Sequence, residues 1–216
     1  SETYRWLGQV PAMREWIGGR LAKPLREDGV TIANKPWEAT LEIPVDWMTR
    51  DKTGQIQVRI NELAQRAQSH WAELLTTLII NGESAACYDG QYFFDTDHSE
   101  GSSGTQDNDI SVNITTTTAP TVAEMQTAIL SATQQILGFK DDQGQPMNAG
   151  ARRFVVMVPV PFLSAAAGAL SASVISSTDS TVKAMASLSG FGFDLAINPR
   201  LTWTTEFAVF RADGNV

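Results

Sequence analysis

Asp95-Thr96-Asp97-His98 is the one place in this chain of 216 residues where metal-ligating and proton-transferring side chains stand together. Two carboxylates and an imidazole so closely spaced can hold a divalent ion, and an acid beside a histidine can move protons. A small metal-dependent hydrolase using Asp95, Asp97 and His98 is the enzyme reading these residues permit. Nothing downstream completes it: the other histidine, His70, lies in a helical stretch, and no second Asp/His pattern follows. The competing structural reading puts Asp95 and Asp97 in side-chain turns and bonds His98 to a main-chain carbonyl. That bland reading is preferred, and no metal or cofactor is expected.

Other chemistries find less. Cys87 is the only cysteine, which excludes an internal disulfide and a four-thiolate zinc site. His98 follows it by eleven residues, without the surroundings of a cysteine protease, so a buried structural thiol is expected. Ser164, Ser171 and Ser173 lack a nucleophile elbow. Gly190-Phe191-Gly192 lacks the third glycine of a dinucleotide fingerprint, and no phosphate-binding loop sequence is present. The six tryptophans are assigned to packing and subunit contacts. No catalytic or cofactor-binding residue is named, and the chain is not expected to be an enzyme.

The elements that must position these residues can be read from pattern. With 43% hydrophobic and 19% charged residues the chain is globular, and a net charge of -8 argues against a protein built to grip phosphates. No stretch nears ~18 continuous apolar residues, so no membrane-spanning helix is expected. The first residue is Ser1, which suggests a processed or trimmed chain. Tyr4, Trp6, Leu7, Val10, Met13, Trp16 and Ile17 predict a short amphipathic helix before Gly18-Gly19. Val30, Ile32, Trp37, Ala39, Leu41, Ile43 and Val45 fall near a period of two, and Glu27-Asp28-Gly29 offers a turn. Together they predict a β-hairpin over 20–47, with arms 21–25 and 30–45. Pro24, Pro36 and Pro44 keep those arms out of any sheet centre, and a lone two-stranded ribbon needs a surface to lie on. Another chain could supply it.

The strongest signal follows. Ile56, Ile60, Leu63, Ala64, Ala67, Trp71, Leu74, Leu75, Leu78 and Ile79 form an unbroken helical stripe after Gly54, with Asn81-Gly82 as a left-handed stop. The helix, 55–81, is a spine roughly 35–40 Å long across which the rest of the chain is expected to pack. Downstream, Cys87 to Phe94 predicts a tight turn, 99–109 a polar loop free to move, and Val112, Ile114 and Thr116 a short strand. Thr121 and Glu124 form a capping box for a helix reaching Gly138. Phe154 to Val158 predicts a strand buried on both faces, Pro161 opens a helix through Leu170, and strands follow at Phe191 to Ile197 and Phe207 to Phe210.

Several runs occur in a telling order. They are Tyr4-Arg5-Trp6-Leu7-Gly8-Gln9, Met13-Arg14-Glu15-Trp16-Ile17-Gly18 and Thr31-Ile32-Ala33-Asn34-Lys35-Pro36-Trp37-Glu38-Ala39-Thr40. Cys87-Tyr88-Asp89-Gly90-Gln91-Tyr92-Phe93-Phe94-Asp95-Thr96-Asp97-His98 and Asn198-Pro199-Arg200-Leu201 come after them. From near residue 4 to the end, the chain resembles the major head proteins of bacteriophage Mu and Mu-like prophages, most distinctively in the run from Cys87 to His98.

The resemblance implies an α+β, Hong Kong 97-like phage capsid fold with an E-loop hairpin, a P-domain carrying a long spine helix, and an A-domain. It divides the chain into a segment 1–19, the E-loop 20–47, the P-domain 48–150 with its spine 55–81, and the A-domain with the start of a return, 151–216. It implies a major capsid protein that self-assembles into an icosahedral head around double-stranded DNA. The implied partners are copies of itself in hexamers and pentamers, scaffold, portal and decoration proteins, and DNA only non-specifically; no membrane is involved. The implied location is the virion, and the host cytoplasm during assembly. On the E-loop, Lys23, Arg26, Trp37, Leu41 and Ile43 are the implied intersubunit contacts. Family members begin earlier and continue past Val216, so a core fragment is expected.

Overall fold

A computed structural model describes residues 2–7, 27–171 and 190–214. Its elements in chain order are β1 (Glu2–Leu7), β2 (Glu27–Ile32), α1 (Val45–Arg50), α2 (Gln55–Ile80), α3 (Val122–Gly138), β3 (Arg153–Val158), α4 (Leu163–Ser171), β4 (Gly192–Ile197) and β5 (Ala208–Arg211). Single turns of 3-10 helix lie at Asn81–Glu83 and Val160–Phe162. Helices and a mixed sheet make it α+β. Among the described residues no helix is long and apolar enough to cross a membrane.

β3 sits at the centre because its five consecutive apolar residues can be satisfied only by cover on both faces. It pairs in parallel with β4 and antiparallel with β5. Val156 and Val158 join Met125 and Ile129 of α3 and Ala165, Ala166 and Ala169 of α4 in the main core, with Phe162. On the other face Met157 packs against a second cluster of Ile79, Leu201, Trp203 and Ala208. Each large side chain fully covered contributes roughly 1.5–3 kcal/mol.

Small residues set how closely α4 approaches α3. A Cβ on Gly168 would lie 2.8 Å from Val122 Cγ2, which is why a helix-weakening glycine is tolerated there. The buried Gln126 amide donates to the Ala169 carbonyl at 3.1 Å across the same contact. α3 opens with the expected capping box: Glu124 N–H donates to Thr121 Oγ1, and the Glu124 carboxylate accepts from Thr121 N–H at 2.8 Å. Thr115 N–H donates to the same carboxylate at 2.8 Å. These bonds, that from Thr121 N–H first, pull the Glu124 pKa down to about 2.

α2 departs from expectation in how it is covered. Its start is organised by Asp51, whose carboxylate accepts from Ile56 N–H at 2.8 Å and Gln55 N–H at 3.2 Å, while Gly54 turns the chain at φ 71°. At its far end Gly82 is not in the left-handed region; it is glycine because a Cβ would meet the Phe94 ring at 2.7 Å. Only Thr76 and Ile79 of the helix are buried. Leu63 and Leu74 are half-buried, and Ile60, Trp71, Leu75 and Leu78 are exposed. The expectation that the chain packs across this helix is therefore wrong: periodicity identifies an apolar face but not what covers it.

Four local readings are also corrected. Tyr4 lies in a strand and not in a helix, because Glu2–Leu7 pairs antiparallel with Glu27–Ile32. Gly29 is accordingly a ladder residue opposite Arg5 and not a turn, residues 33–44 hold no regular element, and Val45 begins α1. The expected arm 21–25 and residues 8–19 lie outside the described residues. The expected strand at Val112 and Ile114 does not form. The loop 99–109, expected to move freely, is pinned instead: Gln106 binds both the N–H and the carbonyl of Lys140, at 2.6 and 3.0 Å, and Ser102 N–H donates to the Asp142 carbonyl at 2.8 Å.

Two measurements follow from this packing. Gly168→Ala should destabilise the protein by about 1–3 kcal/mol in denaturant titration, and adding Val122→Ala should recover part of the loss. Because Glu124 titrates lower in the folded chain than its ordinary 4.5, its stabilising effect is complete above that pH and is lost as pH falls through about 2. Glu124→Gln should flatten that part of the curve of thermal midpoint against pH.

Candidate functional site

The loop from Cys87 to His98 is built by a tight turn. Cys87 N–H donates to the Gln91 carbonyl at 2.7 Å, with Gly90 at φ 88° supplying the left-handed position. An antiparallel bridge between Ala86 and Tyr92 closes the turn, and another joins His98 to Gln106. This geometry brings His98 to Asp89, not to Asp95 or Asp97. The His98 Nδ1 to Asp89 Oδ2 distance is 2.6 Å, with both side chains mostly buried. The expected partner for His98, a main-chain carbonyl, is thus replaced by a carboxylate.

Asp95 works as a turn residue. Its carboxylate accepts from Thr96 N–H at 2.8 Å and Tyr92 N–H at 3.2 Å, which holds its pKa below the usual carboxylate range. Its own N–H donates to Asn108 Oδ1 at 2.8 Å, while Asn108 Nδ2 donates to the Phe93 carbonyl at 2.7 Å. Asp97 is exposed. Among the described residues no three His, Cys, Asp or Glu side chains come together as ligands. Burial, helped by nearby Asp89, pushes the Cys87 thiol up, the opposite of what a nucleophile needs. A cavity of about 400 Å³ adjoins this loop, lined by Cys87, His98, Lys140 and Asp142 among others. Among the described residues, two polar atoms of its lining, His98 Nε2 and Asp142 Oδ1, are buried without a hydrogen-bond partner, while the backbone of Lys140 and Asp142 ties the surrounding loops together.

The residues named for intersubunit contact fare differently. Lys23 and Arg26 lie outside the described residues. Trp37 is 60% exposed, Leu41 is exposed, and Ile43 is half-buried. One side of the Trp37 ring meets His70 of α2, edge to face, with centroids 4.5 Å apart. Sequence reasoning missed the larger feature beside it. Trp71, Leu75 and Leu78, expected in the core, are 77%, 55% and 67% exposed. Val45, Trp47 and Met48 of α1 are exposed as well. An unbroken stripe with no charge on it was the available signal, but it reads the same whether the cover comes from this chain or another.

Asp97→Ala should leave the thermal midpoint unchanged, whereas His98→Ala, which strands the half-buried Asp89 carboxylate, should lower it by several degrees. Elemental analysis of the purified protein should find no stoichiometric metal; bound zinc or manganese lost in an Asp97/His98 double variant would restore the hydrolase reading.

The model of the Mu-like prophage major head subunit gpT family matches residues 1–123. The Mu-like prophage FluMu major head subunit of Haemophilus influenzae is 42% identical over 117 residues, covering 53% of this chain and 38% of that protein. The major capsid protein of Escherichia phage Mu is 38% identical over 98 residues, covering 45% of this chain and 32% of that one. The matched stretch thus spans roughly a third of the length of these relatives. The bacteriophage JBD30 capsid chain superposes with a TM-score of 0.71 at 20% identity, covering 92% of this chain and 85% of that chain. A second structure, the JBD30 capsid decorated with minor capsid protein trimers, gives 0.67 at 21% identity, with 93% and 85% covered. These likenesses place the fold as the Hong Kong 97-like capsid fold. Matched over more than half its length, the chain belongs to the Mu-like prophage major head subunit gpT family.

Proposed function

We propose that this chain is a shell subunit of a tailed-phage head, which associates with copies of itself in hexamers and pentamers around double-stranded DNA. The observation that carries the reading is exposed apolar surface: Trp37 and Trp47 are 60% and 67% exposed, and Trp71, Leu75 and Leu78 on one face of α2 are 77%, 55% and 67% exposed, the kind of surface that association covers.

In this reading residues 1–19 are an N-terminal segment, 20–47 the E-loop, 48–150 the P-domain with the helix α2, and 151–216 the A-domain with the start of a return. Lys23, Arg26, Trp37, Leu41 and Ile43 are the E-loop contacts to a neighbour. Scaffold, portal and decoration proteins are further partners, and a net charge of -8 suits a wall that holds DNA without trapping it. The protein gathers in the host cytoplasm during assembly and ends in the virion.

Particles released from a host carrying the gene should contain this protein as their most abundant chain and appear icosahedral by electron microscopy; particles without it would end the reading. Trypsin should cut after Arg26 rapidly in free subunits and at least tenfold more slowly in intact heads, whereas equal rates would remove the hairpin from the interface.

A further inference from the structure

The cavity beside the run from Cys87 to His98 has a lining whose chemistry the shell reading does not use. At about 400 Å³ it is the size of a site for one small ligand or one side chain. Three of its lining side chains, Tyr88, Phe93 and Met147, are large, apolar and open to solvent. The two rings are braced. Tyr88 Oη donates to Glu100 Oε2 at 2.8 Å, and Phe93 packs edge to face on Phe94 with centroids 4.9 Å apart. A ring held in place and left uncovered offers its negative face to a cation.

The polar part of the lining is short of donors. Four carboxylates, those of Asp89, Glu100, Asp141 and Asp142, stand against one ammonium, that of Lys140. Gln106 and Asn108 also line the cavity, but their amides already donate to the backbone carbonyls of Lys140 and Phe93. Among the described residues, His98 Nε2 and Asp142 Oδ1 are buried without a partner. An ionised carboxylate can only accept, so the 2.6 Å contact with Asp89 puts the proton on His98 Nδ1 and leaves Nε2 of the neutral ring an acceptor. Both orphaned atoms therefore call for a donor.

We propose that this cavity takes an arginine side chain presented by a partner protein, its guanidinium lying on the Tyr88 and Phe93 rings and donating toward Asp142 and His98. A guanidinium is planar, donates through five N–H groups and stacks on aromatic faces, which matches this lining better than the point charge of an ammonium. The four carboxylates repel a phosphate or an acidic ligand. A metal ion is disfavoured, because among the described residues no three His, Cys, Asp or Glu side chains come together as ligands. Tyr88, Phe93 and Met147 also leave apolar surface for the residues flanking the arginine, so the occupant is a segment of protein and not the free amino acid.

The test titrates a dye-labelled Ala-Arg-Ala peptide with blocked ends against the natural protein and reads fluorescence anisotropy. Binding should saturate, and replacing the arginine by citrulline, which keeps the shape and removes the charge, should weaken it at least about tenfold. Free arginine amide should compete at least about tenfold less well than the unlabelled peptide. Asp142→Asn should weaken peptide binding about fivefold or more. Its thermal midpoint should hold, because the Asp142 backbone carbonyl, not Oδ1, ties this loop to Ser102. Asp97→Asn removes the same charge from an exposed position outside the lining and should weaken binding less than about twofold. No saturation, equal binding of the arginine and citrulline peptides, equal competition by free arginine amide, or equal losses in D142N and D97N would each overturn the proposal. So would Lys140→Ala binding more than about tenfold tighter, since the chain's own lysine would then be the occupant. If Asp142→Asn fails to fold, the citrulline comparison on the natural protein still decides.

Discussion

The last turn of α2 is where the helix is tied to the rest of the chain, and the disposition of everything N-terminal to it depends on that attachment. Ile79 enters the cluster of Leu201, Trp203 and Ala208 beneath β3. Thr76 is locked twice, its hydroxyl donating to the Ala72 carbonyl at 2.8 Å and accepting from Asn198 Nδ2 at 2.8 Å. These contacts use about one turn of a helix of 26 residues. The remainder carries its apolar line into solvent, with Trp37 packed against His70. A helix held at one end in this way is a poor core element and a good arm. Its exposed side chains represent free energy that association can recover.

The loops around the run from Cys87 to His98 are held by a different device. Gln106 and Asn108 each present a side-chain amide to both the donor and the acceptor of neighbouring backbone, as a strand edge would. Gln135 donates to the Asp107 carbonyl at 2.7 Å, and Asn148 donates to the Ile136 carbonyl at 2.6 Å while accepting from Arg211 at 3.0 Å. Backbone polar groups in this stretch cannot pair in ladders, so amides from α3 and the loops stand in for a partner strand. Chemistry-bearing residues here are structural parts: the Asp89–His98 pair and the Asp95 turn are consumed in fixing the loop.

Local elements were legible where their signals are local. The capping box at Thr121 and Glu124, the helix to Gly138, the two-faced strand at Phe154 to Val158 and the long helix from Gln55 each stand where the pattern puts them. Those readings rest on hydrogen bonds within a few residues or on periodicity, which the sequence contains outright. Misreadings arose where a long-range partner decided the outcome. Tyr4, Trp6 and Leu7 fit a helical spacing, yet pairing with Glu27–Ile32 makes that segment a strand. His98 meets Asp89 only because the turn at Gly90 folds the loop back.

By itself the sequence determined the family likeness, the α+β class, the long amphipathic helix and the absence of a completed metal motif, because each depends on residue type and spacing along one chain. The tertiary structure decided which apolar residues are core and which are surface. Trp71 and Ile79 belong to one amphipathic helix and are equally apolar, yet the first is 77% exposed and the second 8%. Hydrophobic burial is non-directional, so a pattern can state that a face must be covered but not by what. Among the described residues, the positions of β3, β5 and the Leu201 to Ala208 segment, which reach α2 at its last turn, decide that Ile79 is covered and Trp71 is not.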